Sequence, residues 1–244
     1  MNLEDLRRDW TTLGKQDPLW AVYVAPGTKG GGWDLDAFFA TGATEVARSL
    51  SRARELGLLL GRGTGLDFGC GVGRLSVALA AEMDHVVSVD ISAPMLAEAR
   101  RIGRCGDNVT FVLNDKPDLS FQDSATIDLV YSSLVLQHLP RDLAGGYLRE
   151  FARVLRPGGG AVLQVATRPT RSLRGVLMRT LPPTLLGWAQ RLVLDYPAPM
   201  RMTAMPRKVV EQALNGSGLS IVEAVDETVY GGHWITTRYF LSRD

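Results

Sequence analysis

The feature that most constrains this chain is the run Leu66-Asp67-Phe68-Gly69-Cys70-Gly71-Val72-Gly73-Arg74, followed at once by Leu75-Ser76-Val77-Ala78-Leu79-Ala80. An apolar stretch, three glycines at alternate positions and an apolar helical start read as a strand, a tight loop and a helix. Such a loop lets a ligand meet bare backbone, and the N–H groups of a helix N-terminus favour an electron-rich or anionic partner. The spacing is G-x-G-x-G, and the dinucleotide fingerprint needs a further glycine where Arg74 stands. Taken alone, the loop marks a nucleotide-type site and leaves its ligand open.

From residue 64 onward the hydrophobic period alternates between strands and helices. Strands are predicted at 65–68, 85–90, 109–113, 127–132 and 161–166, with helices over 74–83, 95–101 and 143–155 between them. Two more strands follow at 219–225 and 234–241. This alternation demands a mostly parallel sheet covered on both faces, so the fold class is a doubly wound α/β sheet. Ligands of such sheets bind at the carboxyl ends of the strands, where the strand order reverses. Residues 1–60 lack strand alternation and read as a helical N-terminal cap segment, leaving 61–244 as the main domain. Within it, residues 167–205 interrupt the pattern, with helical stretches at 173–180 and 185–194, and read as an inserted lid.

Charge separates that insertion from its surroundings. Between Thr167 and Lys208 stand eight basic residues and one acid, Asp195, although the whole chain carries a net charge of only +1. The block is either a partner surface or a solvated helical face. The near-zero overall charge gives no pull toward nucleic acid or a membrane, and there is no aromatic-interleaved basic stripe. No run approaches the length of a membrane span. The two cysteines, Cys70 and Cys105, make no disulfide framework and suit a reducing, cytoplasmic setting. No cluster of Asp, Asn and Glu suggests a metal site.

The residues at successive strand ends carry the chemistry. The first strand delivers Asp67 and the glycine loop. The second delivers Asp90, where a carboxylate can accept both hydroxyls of a ribose. The third delivers Asn114-Asp115-Lys116, with a carboxylate placed for the exocyclic amine of a purine. The fourth delivers Ser132-Ser133-Leu134-Val135-Leu136-Gln137-His138, a polar rim with a histidine. Together they describe an adenosine pocket.

With those residues in place, the chain resembles the class I S-adenosylmethionine-dependent methyltransferases of the small-molecule type. The resemblance rests on LDFGCGVGR (66–74), VVSVDIS (86–92), FVLNDKPDL (111–119), IDLVYSSLVLQHLP (127–140) and VLRPGGGAVL (154–163). It implies a seven-stranded Rossmann-like sheet with an antiparallel last strand, and S-adenosylmethionine as cofactor. It further implies that Asp67, Gly69, Gly71 and Gly73 frame the methionine moiety, and that Asp90 binds the ribose. Ile91 and Met95 would pack on adenine, Asp115 and Lys116 would meet its edge, and Ser132 and Val135 would line the reaction centre. Because this cofactor has no pyrophosphate, the helix N-terminus would serve a carboxylate.

The expected reaction is methyl transfer to a small-molecule acceptor, anionic or amphipathic, most simply at a hydroxyl oxygen. His138 is the candidate base, or else a residue that merely lines the cofactor, and His233 is a second candidate. An NAD-dependent oxidoreductase is the first alternative, opposed by Arg74 and by the lack of a Tyr-x-x-x-Lys pair. A non-catalytic adenosine-ligand binding protein is the other. The sequence leaves the acceptor and the oligomeric state open.

Overall fold

The computed structural model describes residues 2–58, 62–170, 195–228 and 234–244. The expected helical stretches at 173–180 and 185–194, and His233, lie outside the described residues. Three helices precede the sheet: α1 (Leu3–Gln16), α2 (Pro18–Val22) and α3 (Leu35–Glu55). A capping box starts α1, with the Asn2 side chain accepting from Asp5 N–H and Asp5 accepting from Asn2 N–H. Asp34 accepts from Ala37 N–H and starts α3.

The sheet then builds through β1 (Thr64–Phe68), α4 (Ser76–Glu82), β2 (His85–Asp90), α5 (Ala93–Ile102) and β3 (Val109–Leu113). It continues with β4 (Ile127–Ser133), α6 (Arg141–Val154), β5 (Leu155–Pro169), α7 (Arg207–Leu214), β6 (Leu219–Thr228) and β7 (Trp234–Arg243). Strand order is β3-β2-β1-β4-β5-β7-β6. The pairs from β3 to β5 are parallel, and β7 runs antiparallel to both β5 and β6. The seven-stranded, doubly wound sheet with its last strand reversed is therefore present as expected.

Strand alternation sorts the core onto two faces. Leu129, Tyr131, Val162 and Phe240 pack with Val46 and Leu50 of α3 and Leu79 of α4. Their neighbours Val130, Leu163 and Tyr239 pack with Leu148 and Phe151 of α6 and Val210 of α7. Each face buries one side chain in two, which is why β4 and β5 read as near-continuous apolar runs.

Two local expectations change. The strand expected from 161 starts instead at Leu155, directly after α6, with an irregular register against β4 between Leu155 and Gly160. Its partner β4 holds it, pairing Leu129 with Gly160, and a side chain at 160 would collide with the Leu58 carbonyl. At the other end β5 continues to Pro169, so the first residues assigned to the lid belong to the sheet. Of the basic block, three described arginines are already paired within the chain: Arg168 with Asp226, Arg201 with Asp9 and Arg207 with Glu211.

Candidate functional site

Strand order reverses between β1 and β4, and a cavity opens there, at the carboxyl ends of the strands. It holds about 860 Å³ of empty space, the open mouth included. The sheet order lays its polar groups out in a row: Asn114 after β3, Asp90 at β2, the glycine loop after β1, then Ser133 at β4. Leu3, Leu6 and Trp10 of α1 form an apolar wall over the adjoining space.

The loop is shaped by what a side chain would strike. Gly69 and Gly71 both have positive φ, and a Cβ would run into Val135 at the first and Val22 at the second. Gly69 and Cys70 N–H groups donate to the Val89 carbonyl at 2.8 and 3.0 Å, lashing the loop to β2. Gly71 N–H donates to Asp90 Oδ2 at 2.8 Å, and Ser92 N–H donates to Oδ1 at 2.8 Å. Those two bonds hold the carboxylate still and leave further lone pairs for a ligand. Burial nevertheless lifts its pKa to about 6, against the bonds from Ser92 and Gly71.

Of the residues singled out from sequence, Gly69, Gly71, Asp90, Ile91, Met95, Val135 and His138 line this cavity. Asp67, Gly73, Asp115, Lys116 and Ser132 do not. Asp67 lies beneath the loop, accepting from Ser76 Oγ at 2.7 Å while its Oδ1 has no partner. Burial pushes its carboxyl up to about 7. The helix behind the loop starts at Ser76, two residues later than expected, and that serine's hydroxyl is committed to Asp67. Gly73 faces Cys105 and Phe111, and Ser132 Oγ donates to the Phe68 carbonyl. Asp115 is half exposed beside Arg7, 3.7 Å away.

Asn114, and not Asp115, lines the cavity, because successive residues leaving a strand face opposite ways. Lys116 N–H donates to the Asn114 side chain rather than pointing at the cavity. Sequence reasoning placed Ser133 in the polar rim and noted Arg74 only as a departure from the dinucleotide fingerprint, and it passed over Tyr147; all three line the cavity. Arg74 is almost fully buried, ion-paired with Glu45 at 2.8 Å and stacked on Tyr23, yet its Nε has no partner. An orphaned guanidinium nitrogen beside an open cavity was the signal, and only the folded chain supplies it.

His138 sits on the short 3₁₀ turn after β4 (Leu136–His138), edge-on to Trp10. Its Nδ1 donates to the Arg201 carbonyl at 2.7 Å. A carbonyl only accepts, so Nδ1 carries the proton and Nε2 is the basic nitrogen. Burial lowers its pKa, against the carbonyls of Arg201 and Leu134, which keeps the ring neutral.

This arrangement fits an adenosine-type ligand: an amide at one end, a pinned carboxylate in the middle, bare backbone, then a hydroxyl and a guanidinium at the other end. Comparison with known proteins agrees. Residues 66–159 match the family model described as a methyltransferase domain. That stretch, less than half of the chain, is thus similar to methyltransferase domains.

Among relatives, the chain is 38% identical over 125 residues to the demethylmenaquinone methyltransferase of Clavibacter sepedonicus, covering 50% of each. It is 32% identical over 104 residues to the ubiquinone biosynthesis O-methyltransferase of Xylella fastidiosa, covering 42% of each. The chain thus spans about half or less of the length of these relatives. In fold it is similar to the magnesium protoporphyrin IX methyltransferase of Synechocystis, solved with S-adenosylhomocysteine bound. The TM-score is 0.66 at 21% identity, over 100% of both chains. Among the described residues no helix is long and apolar enough to cross a membrane.

Proposed function

We propose that this chain transfers a methyl group from S-adenosylmethionine to a hydroxyl oxygen of a small molecule. The observation that carries the reading is the row Asn114, Asp90, glycine loop and Ser133 across the switch point. Asp90 would hold the ribose hydroxyls, with Ile91 and Met95 against the adenine and Asn114, in place of Asp115, at its edge. Gly69, Gly71 and Val135 would frame the methionine portion, and the free Arg74 Nε suits a carboxylate. Asp67 would act from below, steadying the loop through Ser76. In this reading residues 1–60 cap the domain at 61–244, since α1 walls the cavity.

The cofactor, when bound, supplies an electrophilic methyl group on a sulfonium, displaced in line by a nucleophile while the bonding pair stays on sulfur. Alignment of the acceptor is then the main task of the protein. His138, neutral and tethered through Nδ1, would take the hydroxyl proton on Nε2. Transfer to oxygen is supported by the likeness to the Xylella relative, an O-methyltransferase of ubiquinone biosynthesis.

Calorimetric titration with S-adenosylmethionine, S-adenosylhomocysteine and NAD tests the cofactor: the first two bind and NAD does not. Binding of NAD alone overturns the reading. An acceptor screen followed by NMR of the product separates a new O–CH3 from N–CH3 or C–CH3. With an acceptor in hand, His138→Gln is expected to lower turnover about a hundredfold or more while leaving S-adenosylhomocysteine affinity unchanged. Unchanged turnover removes His138 as the base.

A further inference from the structure

Behind Leu134 lies a second space, an open cleft between α3 and the ends of β5, β6 and β7. It shares a wall with the cofactor cavity. Leu134 lines both, in the left-handed region at φ 61°. On one side of the wall Ser133 faces the cavity, and its Oγ donates at 2.7 Å to Gln164, which faces the cleft. On the other, Arg74 faces the cavity and pairs with Glu45, which faces the cleft. Every element of the partition therefore has one foot in each space.

The cleft's own chemistry is distinctive. Its cations are Arg48 and Arg238, and its carboxylates are Glu45 and Glu227. Arg238 is buried, 3.4 Å from Glu45 and 3.1 Å from Glu227, and Arg48 lies 2.9 Å from Glu227. Among the described residues, each cation lining the cleft already has a carboxylate. An anionic ligand would find no open cation and would face Glu45 and Glu227. The hydroxyls of Thr41 and Thr44 donate to the carbonyls of Phe38 and Ala40, and Thr41 Oγ1 also accepts from Arg74 at 3.3 Å, so each oxygen keeps at least one open lone pair. Glu227 is taken up by Arg48, Arg238 and Gln164, so the open acceptors are those two hydroxyls and Gln164 Oε1, which accepts from Ser133, and the charges of the cleft are balanced. Such a lining calls for a ligand that brings O–H donors and no charge.

We propose that this cleft is the acceptor site and that it selects a neutral, hydroxyl-rich small molecule of the polyol or sugar kind. The proposal rests on the methyltransferase reading above: the cleft would hold the body of the acceptor, and its reacting hydroxyl would extend past Leu134 into the cofactor cavity, which His138 lines. It also departs from the anionic acceptor that the basic block suggested.

The test is a titration of isotope-labelled protein, with and without S-adenosylhomocysteine, followed by NMR. The probes are myo-inositol, inositol 1-phosphate and ethanolamine. Myo-inositol is expected to shift the amides of Ala40, Thr44 and Arg48 and the side-chain amide of Gln164, more strongly than either charged probe. Ala40→Trp, at an exposed position on α3, should fill the cleft and abolish those shifts, with S-adenosylhomocysteine affinity within about twofold of wild type. Preference for the phosphate or for the amine at these residues overturns the polyol assignment. Shifts confined to Cys70 and Asp90, or none with myo-inositol, overturn the cleft as the acceptor site. Because the cleft is read by its own resonances, its failure stays distinct from a failure to bind S-adenosylhomocysteine.

Discussion

On the cavity side of Leu134 neither Asp90 nor Asp67 beneath the loop makes an ion pair among the described residues, and burial pushes Asp67 up to about 7, against the Ser76 hydroxyl and the charge of Arg74, and Asp90 to about 6. On the cleft side burial also acts on Glu45, but the guanidiniums of Arg74 and Arg238 outweigh it and hold the carboxyl below its ordinary value. Desolvation dominates one half of the site and ion pairing the other. The difference separates two jobs. A carboxylate kept short of partners is available to a ligand's hydroxyls, whereas one clamped between two arginines fixes the shape of a pocket.

The largest break in this comparison should come from the clamp. Glu45→Leu leaves buried Arg74 without a carboxylate and Arg238 with Glu227 alone, and a stability loss of about 3–5 kcal/mol is expected in urea unfolding. A loss under about 1 kcal/mol would mean that these ions are effectively solvated and that the contrast is only apparent.

Opposite pH responses sharpen it next. The Asp67 carboxyl is raised from 3.8 to about 7, so its contribution is full below pH 3.8 and is lost as pH climbs toward 7. Asp67→Asn should therefore gain on wild type by about 1–4 kcal/mol as pH rises through that window. Glu45 is lowered from 4.5, so its contribution is present above that value and lost as pH falls below it. Glu45→Gln should accordingly close the gap on wild type toward acid pH. Parallel responses from the two variants in stability-versus-pH curves would refute the division.

Asp90→Asn probes availability itself. Losing a charge-assisted hydrogen bond to the ribose should weaken S-adenosylhomocysteine by about 1.5–3 kcal/mol in calorimetry, with the melting temperature barely moved. Unchanged affinity would mean that the pinned carboxylate serves only the loop. The smallest effect is expected at the partition. Leu134→Gly relieves a left-handed conformation but loses apolar contact and stiffens the unfolded chain less, so the net stability change should stay within about 1 kcal/mol. A loss of several kcal/mol would recast Leu134 as core rather than divider.

The sequence carried most of the sheet because parallel strands buried on both faces announce themselves as apolar runs at regular intervals. It carried the glycine loop, Asp90 and His138 because each stands at the end of such a run. It singled out Asp115 because a carboxylate is chemically apt there, whereas the alternation beyond Leu113 makes Asn114 the residue that lines the cavity. The roof of α1 was out of reach: helical spacing marks a buried face but not the surface that the face will cover. The Arg74–Glu45–Arg238–Glu227 chain was equally hidden, since its members come from α3, the loop after β1, β6 and β7 and meet only after folding.

The position of β7 bears on how the chain is made. β7 lies between β5 and β6, pairing Leu163 with Tyr239 on one side and Ala224 with Tyr239 on the other. While residues 234–243 are still inside the ribosome, β5 presents an open hydrogen-bonding edge and β6 has no partner in the sheet. The emerging chain can assemble β1 to β5, and with them the glycine loop, well before Arg238 arrives to organise the cleft. A nascent chain at that stage carries a raw sheet edge that a chaperone must shield or a second nascent chain will find.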